Sequence, residues 1–477
     1  MKTLSDKTAQ TTFWTGIERF LNIGTVLLMQ LVLARLLTPS DFGIVAMIAV
    51  FIGIAQSVSE CGFINALIRK LDCQERDYNT AFYVNLFISI LLYIILYILS
   101  PLISDFYEMP IINPLLRVYS LLFILESLRI VPYCKLCKEL NFKSIARISS
   151  LSVLLSGCVG VVMAYCNWGA WALVGQTLSA AFFYLLFLQI KEKWFPRLSF
   201  DREAFAYLWG FGSKMLLTGI ISRIYSNIYS LLIGKLYTPA ILGFFNNGQK
   251  YAQFFPNFVE SVFVKNSLPI LSDFQNDNKR LIDIYRKYIQ LVCFITFPVC
   301  FIVFVYARQI VILLLTEKWL DSVIYLQIFA ITSILIPANS INLNVFQVKG
   351  RTDVTLKAEI IKKTMGFIIV ALLVKHGPLC LAFGSSMMAL FAYIVNVYYT
   401  KKVIGISLKV QIADLMPILA LSLITCIPAY FINVFIESNI LSLFVGGICC
   451  FATYVILSYA LRLNIFIQLL TYVKNKI

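Results

Sequence analysis

The sequence has little charge and a single histidine. Only 13% of its 477 residues are charged, whereas a soluble domain carries roughly 25%. The pair Cys134 and Cys137 has zinc-like spacing, but no second pair follows and His376 lies far along the chain. The segment "GFGSK" lacks the spacing of a phosphate-binding loop. We therefore expect no metal, no cofactor and no ATP hydrolysis by this chain.

Long apolar runs take the place of the missing charge. The chain is 60% hydrophobic, and residues 82–103 carry no charge over a length that can cross a bilayer of about 30 Å. The first apolar run contains Glu18 and Arg19, unlike the apolar centre of a secretory signal, so we expect no cleaved signal. The 12 cysteines are scattered, many of them within the runs, where cysteine behaves as a small hydrophobic residue. These features predict a polytopic membrane protein.

The basic residues are concentrated in alternate loops. The net charge is +16, and the loops near residues 104, 165 and 433 are poor in lysine and arginine. This distribution follows the positive-inside rule, which predicts two cytoplasmic termini and an even number of spans. The charge therefore indicates topology and not a nucleic-acid surface. The basic groups lie at residues 69–76, 135–147, 191–202, 279–287, 349–363, 401–409 and 474–476.

The hydropathy pattern predicts an all-α protein with about 14 transmembrane helices. The longest polar interruption, residues 191–205, separates the first six helices from the rest. The predicted helices cover residues 12–36, 41–68, 78–103, 111–131, 142–166, 168–190, 207–236, 241–268, 283–306, 321–346, 355–375, 379–400, 411–433 and 440–462.

One turn occurs twice, 200 residues apart. The sequence "ARLLTPSDFG" at 34–43 returns as "GKLYTPAILG" at 234–243. Six predicted helices separate the copies, so both have the same orientation, as in a parallel repeat. Thr38 and Asp41 predict a capping box at the start of the second helix. Gly43 and Gly243 predict a close approach of helices.

Four segments of the sequence have the pattern of a known family: "LARLLTPSDFGIVAMIAVFIGIAQSVSECGFINALIRK", "VPYCKLCKELNFKSIAR", "WGAWALVGQ" and "GKLYTPAILGFFNNGQKYAQFFP". They resemble polysaccharide transporters of the multidrug/oligosaccharidyl-lipid/polysaccharide flippase superfamily. The resemblance implies two pseudo-symmetric six-helix lobes facing a central cavity, with two further C-terminal helices. It also implies transfer of a polyprenyl-pyrophosphate-linked oligosaccharide to the outer leaflet.

The repeat and the resemblance together predict the domain organisation. We expect a first lobe at 1–190, a cytoplasmic connection at 191–206, a second lobe at 207–400, and two additional helices with a cytoplasmic tail at 401–477. The expected location is a bacterial cytoplasmic membrane, and the expected mechanism is alternating access by rocking of the lobes.

A polar stripe marks the eighth predicted helix. Its residues recur at intervals of four and three, which places them on one helical face that must contact protein or water. The stripe consists of Asn246, Lys250, Gln253, Asn257 and Glu260. Lys250 is our first candidate for binding the pyrophosphate of the substrate.

Other candidate residues lie in the first and seventh predicted helices. Lys214 and Tyr225 share one face, with Arg223 nearly opposite, so we do not expect both cations in one cavity. Arg19 is a further candidate cation, Tyr225 a candidate platform for a sugar ring, and Glu18 a candidate ion-coupling residue. The alternative is that these charges join helices or reach the membrane surface. Glu126 and Arg129 are predicted to form a structural ion pair.

The expected substrate is an undecaprenyl-pyrophosphate type lipid-linked oligosaccharide for O-antigen, capsule or exopolysaccharide synthesis. Membrane lipids, a polysaccharide polymerase and glycosyltransferases are the expected partners. One alternative is a multidrug/cation antiporter of the same superfamily, whose cavity should be acidic. A membrane-embedded polymerase or ligase is a weaker alternative, since the predicted external loops are short, so we expect no enzyme activity.

Overall fold

The computed structural model describes residues 24–463 and 465–467, apart from residues 61 and 71. All regular secondary structure within these residues is helical, as predicted. Nine helical segments of the described part are long and apolar enough to cross a membrane: α2–α3, α4, α8, α9, α13, α15–α16, α18, α19 and α20, as bounded below. The chain is therefore a multi-pass membrane protein, while the count of fourteen spans stays a prediction.

The described residues group into two compact units, with the boundary at Gly243. The lobes that the sequence predicts, divided at residues 191–206, remain a prediction. In the first unit the helices are α1 (Gly24–Leu36), α2 (Pro39–Glu60), α3 (Phe63–Arg69), α4 (Glu75–Tyr107), α5 (Ile112–Tyr119), α6 (Leu122–Leu128), α7 (Ile130–Lys138), α8 (Phe142–Tyr165), α9 (Ala170–Glu192) and α10 (Arg202–Leu236).

Helix α11 (Pro239–Val259) crosses the boundary and is followed by a π-helical turn (Glu260–Val264). The remaining helices of the second unit are α12 (Lys265–Asp273), α13 (Asn278–Val305), α14 (Ala307–Leu314), α15 (Ser322–Ser333), α16 (Ile336–Val348), α17 (Thr352–Leu373), α18 (Pro378–Ile404), α19 (Leu408–Phe435) and α20 (Asn439–Ala460).

The repeated turn has the predicted cap. Helix α2 begins at Pro39 and α11 at Pro239, one residue after the capping threonine of each copy. The Thr38 amide and hydroxyl donate to the Asp41 carboxylate over 2.9 and 2.6 Å, and the Asp41 amide donates to the Thr38 hydroxyl over 3.3 Å. The capping box is therefore confirmed. In the second copy, where Ile241 replaces the acid, its amide donates to the Thr238 hydroxyl over 3.4 Å.

The two turns contact one another through their glycines. A Cβ atom on Gly43 would lie 1.8 Å from the Pro239 carbonyl oxygen, and one on Gly243 would lie 2.1 Å from the Pro39 carbonyl oxygen. No side chain fits at either position, because the obstructing atoms are backbone. The close approach predicted for the glycines is thus present, and it joins the two copies of the repeat within the first unit.

Some predicted helices are interrupted. The helix predicted over 111–131 is wrong: it forms α5, α6 and α7, with breaks near Ser120 and at Arg129. The Ser120 and Ser127 hydroxyls beside these breaks donate to backbone carbonyls three residues earlier, over 2.9 and 2.8 Å. The helix predicted over 321–346 divides at residues 334–335, since Pro337 has no amide hydrogen to donate and its ring clashes with the carbonyl four residues earlier, that of Ser333.

A buried polar network occupies the interior of the second unit. The Asn342 side-chain oxygen accepts hydrogen bonds from the Tyr285 hydroxyl (2.6 Å) and the Thr400 hydroxyl (2.8 Å). The Gln411 amide donates to the Tyr285 hydroxyl over 2.7 Å, and its oxygen accepts from the Tyr393 hydroxyl over 2.8 Å. All five side chains are buried, so their polar groups satisfy one another without solvent.

Candidate functional site

A cavity of about 1190 Å³ lies within the first unit. It is bordered by α2, by the interrupted segment α5–α7, and by helices α8, α9 and α10. Many of its polar residues lie on α2, α4, α8 and α9, which are long and apolar enough to cross a membrane, and polar groups within such spans are costly and mark functional sites. Its polar residues are Gln56, Ser57, Ser59, Asn65, Asn85, Tyr119, Glu126, Arg129, Tyr133, Ser149, Ser152, Thr177, Tyr184, Ser222, Arg223 and Asn227.

Arg129 lies in the break between α6 and α7. Its guanidinium contacts the Glu126 carboxylate over 2.9 Å, and the Gln56 amide donates to the other oxygen of that carboxylate over 3.2 Å. The Glu126 side chain is 16% exposed and that of Arg129 is 35% exposed. Glu126 is therefore the more enclosed partner, fixed between two helices, while the guanidinium keeps a face open to the cavity.

An aromatic ring supports the same guanidinium. The Arg129 guanidinium carbon lies 5.1 Å from the centre of the Tyr184 ring, within the range of a cation–π contact. Tyr184 belongs to α9 and Glu126 to α6, so two helices fix the position of Arg129 from different sides. This arrangement presents a cation whose orientation is set before any ligand arrives.

The second cation of the described lining is Arg223 on α10. Its side chain is exposed and forms no ion pair with any described residue. The Asn227 amide donates to the Arg223 backbone carbonyl over 2.8 Å. Opposite, a Cβ atom on Gly53 of α2 would lie 3.8 Å from the Asn227 amide nitrogen, so α2 and α10 pack closely here. Arg223 is thus a cation that has no ion pair among the described residues, on a closely packed helix pair.

The hydroxyl groups of the lining bond mainly to their own helices. Ser57, Ser152 and Thr177 each donate to the carbonyl four residues earlier, over 3.2, 2.7 and 2.9 Å. Asn85 of α4 donates to the Ser59 carbonyl over 2.6 Å. Because a hydroxyl has acceptor positions besides its donor, these groups can still accept hydrogen bonds from a ligand.

The predicted site residues fall into three groups. Arg223 lines the cavity, whereas Tyr225, which is half-buried on the same helix, is not among its lining residues. The side chain of Lys214, together with Glu18 and Arg19, lies outside the described residues. The predicted site residues of α11 belong to the second unit. Of these, Lys250 and Asn257 are exposed, and Asn246 and Gln253 are half-buried.

Sequence reasoning predicted the Glu126–Arg129 ion pair, and the structure confirms it. It did not predict that the pair would line a cavity. The missed signal was the interruption of the helix: a segment containing Ser120, Ser127 and Pro132 within one span is unlikely to be regular, and irregular backbone at membrane depth occurs where it lines a cavity.

The cavity suits an anionic ligand rich in hydroxyl groups. Its described lining has two arginines and one glutamate, and the glutamate is engaged by Arg129 and Gln56. Arginine binds phosphate oxygens with two parallel N–H groups. The remaining serine, threonine, asparagine and tyrosine side chains can exchange hydrogen bonds with sugar hydroxyls.

The fold is that of a known class of polytopic membrane transporters. The chain is similar to the lipid II flippase MurJ in its inward closed conformation, with a TM-score of 0.75 over 95% of this chain and 99% of that one, at 16% identity. It is also similar to an inward-facing multidrug resistance MATE family transporter, with a TM-score of 0.59 over 80% of this chain and 94% of that one, at 16% identity.

The sequence comparisons define the family. Residues 32–324 match the model of the polysaccharide biosynthesis protein family, to which the chain belongs. It is 25% identical over 450 residues to the lipopolysaccharide biosynthesis protein WzxC of Escherichia coli (strain K12), covering 92% of this chain and 90% of that protein. It is 22% identical over 306 residues to the succinoglycan biosynthesis transport protein ExoT of Rhizobium meliloti (strain 1021), covering 64% and 62%.

Proposed function

We propose that this protein is a flippase that moves lipid-linked oligosaccharide units across the cytoplasmic membrane for the synthesis of a surface polysaccharide. The observation that carries the proposal is the cavity of the first unit, which presents Arg129 and Arg223 among many hydroxyl and amide groups. The relatives support it, since they are named for polysaccharide biosynthesis and transport and the structural neighbour MurJ is named a lipid II flippase.

The chemistry of the cavity corresponds to the two parts of such a head group. A pyrophosphate carries compact negative charge, for which the guanidinium of Arg223, which has no ion pair in the described part of the chain, is a strong binding group. Sugars present hydroxyl groups and apolar ring faces, which suit the hydroxyl and tyrosine side chains of the lining. The volume of about 1190 Å³ exceeds the roughly 300–1,000 Å³ of a typical small-molecule pocket. An oligosaccharide head group needs that room.

Transport in this proposal proceeds by alternating access, with both termini in the cytoplasm. Lys250 and its polar neighbours on α11 supply a second polar surface for the substrate, together with Lys214 and Arg19. Glu18 is the proposed ion-coupling residue. The chain carries out no covalent chemistry on the glycan, which is made and polymerised by separate enzymes in this proposal.

The test is Arg223→Ala in cells that depend on this protein. We expect lipid-linked repeat units to accumulate on the cytoplasmic side and surface polysaccharide to fall about tenfold or more, since charged hydrogen bonds contribute about 1.5–3 kcal/mol. Arg308→Ala is the matched control, because Arg308 is exposed in the second unit and is not among the residues lining the cavity. Normal export by the Arg223 variant at normal abundance would contradict the proposal.

The multidrug/cation antiporter remains the second candidate, because the MATE family shares the fold. A cavity for cationic drugs should carry unpaired carboxylates, whereas Glu126 is paired with Arg129 here. Efflux of cationic dyes from cells expressing the protein would favour the antiporter, and accumulation of lipid-linked glycan in a deletion strain would favour the flippase.

A further inference from the structure

A nine-residue connector, residues 193–201, joins α9 to α10 and is bound along the first turns of α4. Trp194 is buried and packs its ring against Phe82 at 5.6 Å. Because the connector is held at three points along its length, its conformation is fixed. The three hydrogen bonds are 3.0 Å each: Trp194 Nε1 to Glu75 Oε2, the Arg197 amide to Asn79 Oδ1, and the Asp201 amide to Thr80 Oγ1.

Helix α4 places this connector at the membrane surface. The helix has 33 residues, so it is about 50 Å long, against about 30 Å for the hydrocarbon core of a bilayer. Its first turn carries Glu75, Arg76 and Asp77, and charged residues stay outside the core. The end that holds the connector therefore extends to the level of the lipid head groups.

The connector presents large apolar side chains away from the protein. The exposed fractions are 71% for Phe195, 95% for Leu198 and 59% for Phe200. Phe200 continues into an aromatic row on α10, with ring centres 5.8 Å apart to Phe205 and then 5.9 Å to Trp209. Exposed apolar groups of this size mark interaction surfaces, and aromatic belts occur where membrane meets water.

Four basic side chains surround these apolar groups. All four are exposed, and none forms an ion pair with a residue that the structure describes: Lys191, Lys193, Arg197 and Arg202. The neighbouring acids leave a net positive charge, because Asp201 pairs with Arg76 at 3.2 Å and Glu75 with Lys135 at 2.8 Å, so that two acids, Glu192 and Glu203, stand beside the four cations. A hydrogen bond from the Ala204 amide and the charge of Arg76 lower the pKa of Asp201 below its ordinary value.

We propose that the 193–201 connector and its four basic neighbours form a binding site for anionic phospholipid on the face that the basic loops predict to be cytoplasmic. Phe195, Leu198 and Phe200 enter the acyl-chain boundary, and the four cations contact head-group phosphates. An interfacial segment binds through this combination of apolar insertion and attraction to anionic lipid. The inference goes beyond the proposed transport function and does not depend on the substrate.

The test is hydrogen–deuterium exchange of the full-length protein in nanodiscs of phosphatidylglycerol or phosphatidylcholine with matched acyl chains. We expect the amides of Phe195, Leu198 and Phe200 within residues 195–200 to exchange about tenfold more slowly in phosphatidylglycerol at low salt, since each basic residue near an anionic surface contributes about fivefold to binding. The combined change of Lys191, Lys193, Arg197 and Arg202 to Gln should remove this difference.

A matched variant controls for the loss of four charges. It changes Lys279, Lys287, Lys357 and Lys401 to Gln, all at exposed positions of the second unit, and it should keep the slow exchange. A further variant, Phe195→Ser with Leu198→Ser and Phe200→Ser, should speed exchange in both lipids. None of these changes removes the side chains that hold the connector, so unchanged melting temperatures are expected.

Equal exchange of residues 195–200 in the two lipids overturns the proposal. So does a difference that survives in the variant lacking the four connector cations. Amides left unprotected in both lipids would assign the patch to a protein partner instead of the membrane.

Discussion

Both units place polar side chains among apolar helices, but the side chains bond in different ways. In the second unit, Asn342, Tyr285 and Gln411 bond to one another, and the network has no open position. In the first unit, Ser152 and Thr177 bond to their own helix backbone, and Arg223 has no ion pair among the described residues. A polar residue at membrane depth therefore has two distinct uses: joining helices or facing a ligand.

The largest expected effect comes from breaking the closed network. Asn342→Leu leaves the buried Tyr285 hydroxyl without its acceptor, while the Thr400 hydroxyl keeps the Asn396 carbonyl at 2.9 Å. The unsatisfied Tyr285 hydroxyl costs about 1–3 kcal/mol and the lost hydrogen bond from Thr400 about 1 kcal/mol, so we expect a loss of about 3 kcal/mol in total. For a unit of this size that lowers the melting temperature by roughly 6–12 °C. Thermal unfolding of the purified protein in detergent measures the change.

Arg223→Ala serves as the contrasting variant for that measurement. Its side chain is exposed to the cavity and has no ionic partner in the described residues, so the melting temperature should stay close to that of the parent protein. If the two variants melted at the same temperature, the distinction between the closed network and the open cavity would be lost.

An intermediate effect is expected from Glu126→Gln, which removes the negative charge beside Arg129. The uncharged side chain can still accept a hydrogen bond from Gln56, so stability should change little. Without this counter-charge, Arg129 should bind a pyrophosphate group about fivefold to tenfold more tightly, which corresponds to a gain of about 1–1.4 kcal/mol in binding free energy. Calorimetric titration of the purified protein with a soluble pyrophosphate-linked sugar tests this.

Glu126→Asp keeps the charge and provides the control for that titration. The affinity of this variant for the pyrophosphate-linked sugar should stay nearer to that of the parent protein. Weaker binding by Glu126→Gln would mean that the carboxylate contributes to the ligand site directly, contrary to the role given to it here.

The smallest effects are expected from the removal of single hydroxyl groups. Thr400→Val removes a donor to Asn342 from the buried network and should cost about 1 kcal/mol of stability. Ser152→Ala removes a hydroxyl that bonds only within its own helix, and it should cost less than about 0.5 kcal/mol. Paired melting curves measure both. A larger loss for Ser152→Ala would show that the cavity wall also carries structural hydrogen bonds.

The sequence was sufficient for features that depend on local patterns. The apolar runs predicted an all-α membrane protein, and Thr38 with Asp41 predicted a capping box that the structure contains. The repeated turn predicted a close approach at Gly43 and Gly243. The first two predictions succeed because spacing along one or two helical turns determines them, whereas the glycine contact was indicated by the repeat and joins segments about 200 residues apart.

Local patterns predicted less of the candidate site. Arg223 was predicted as a candidate, but the breaks near Ser120 and at Arg129, a lining residue of the cavity, have no counterpart in the hydropathy pattern. Asn342 bonds to the Tyr285 and Thr400 hydroxyls, 57 and 58 positions away along the chain, and no local period encodes such pairs. Partners of a polar residue are a tertiary property, so its role could not be assigned from its own helix.

The glycine contacts between the two turns also have a consequence for biosynthesis. Gly43 cannot meet Pro239 until the ribosome has added about 200 more residues, which takes about 10–40 s at common translation rates. During that interval α2 is already in the membrane without α10, the helix that packs along it. The early helices therefore stay in the translocation machinery or among lipids while Gly53 and Ser57 lack their contacts with α10. Quality control of the nascent chain should act most strongly within this window.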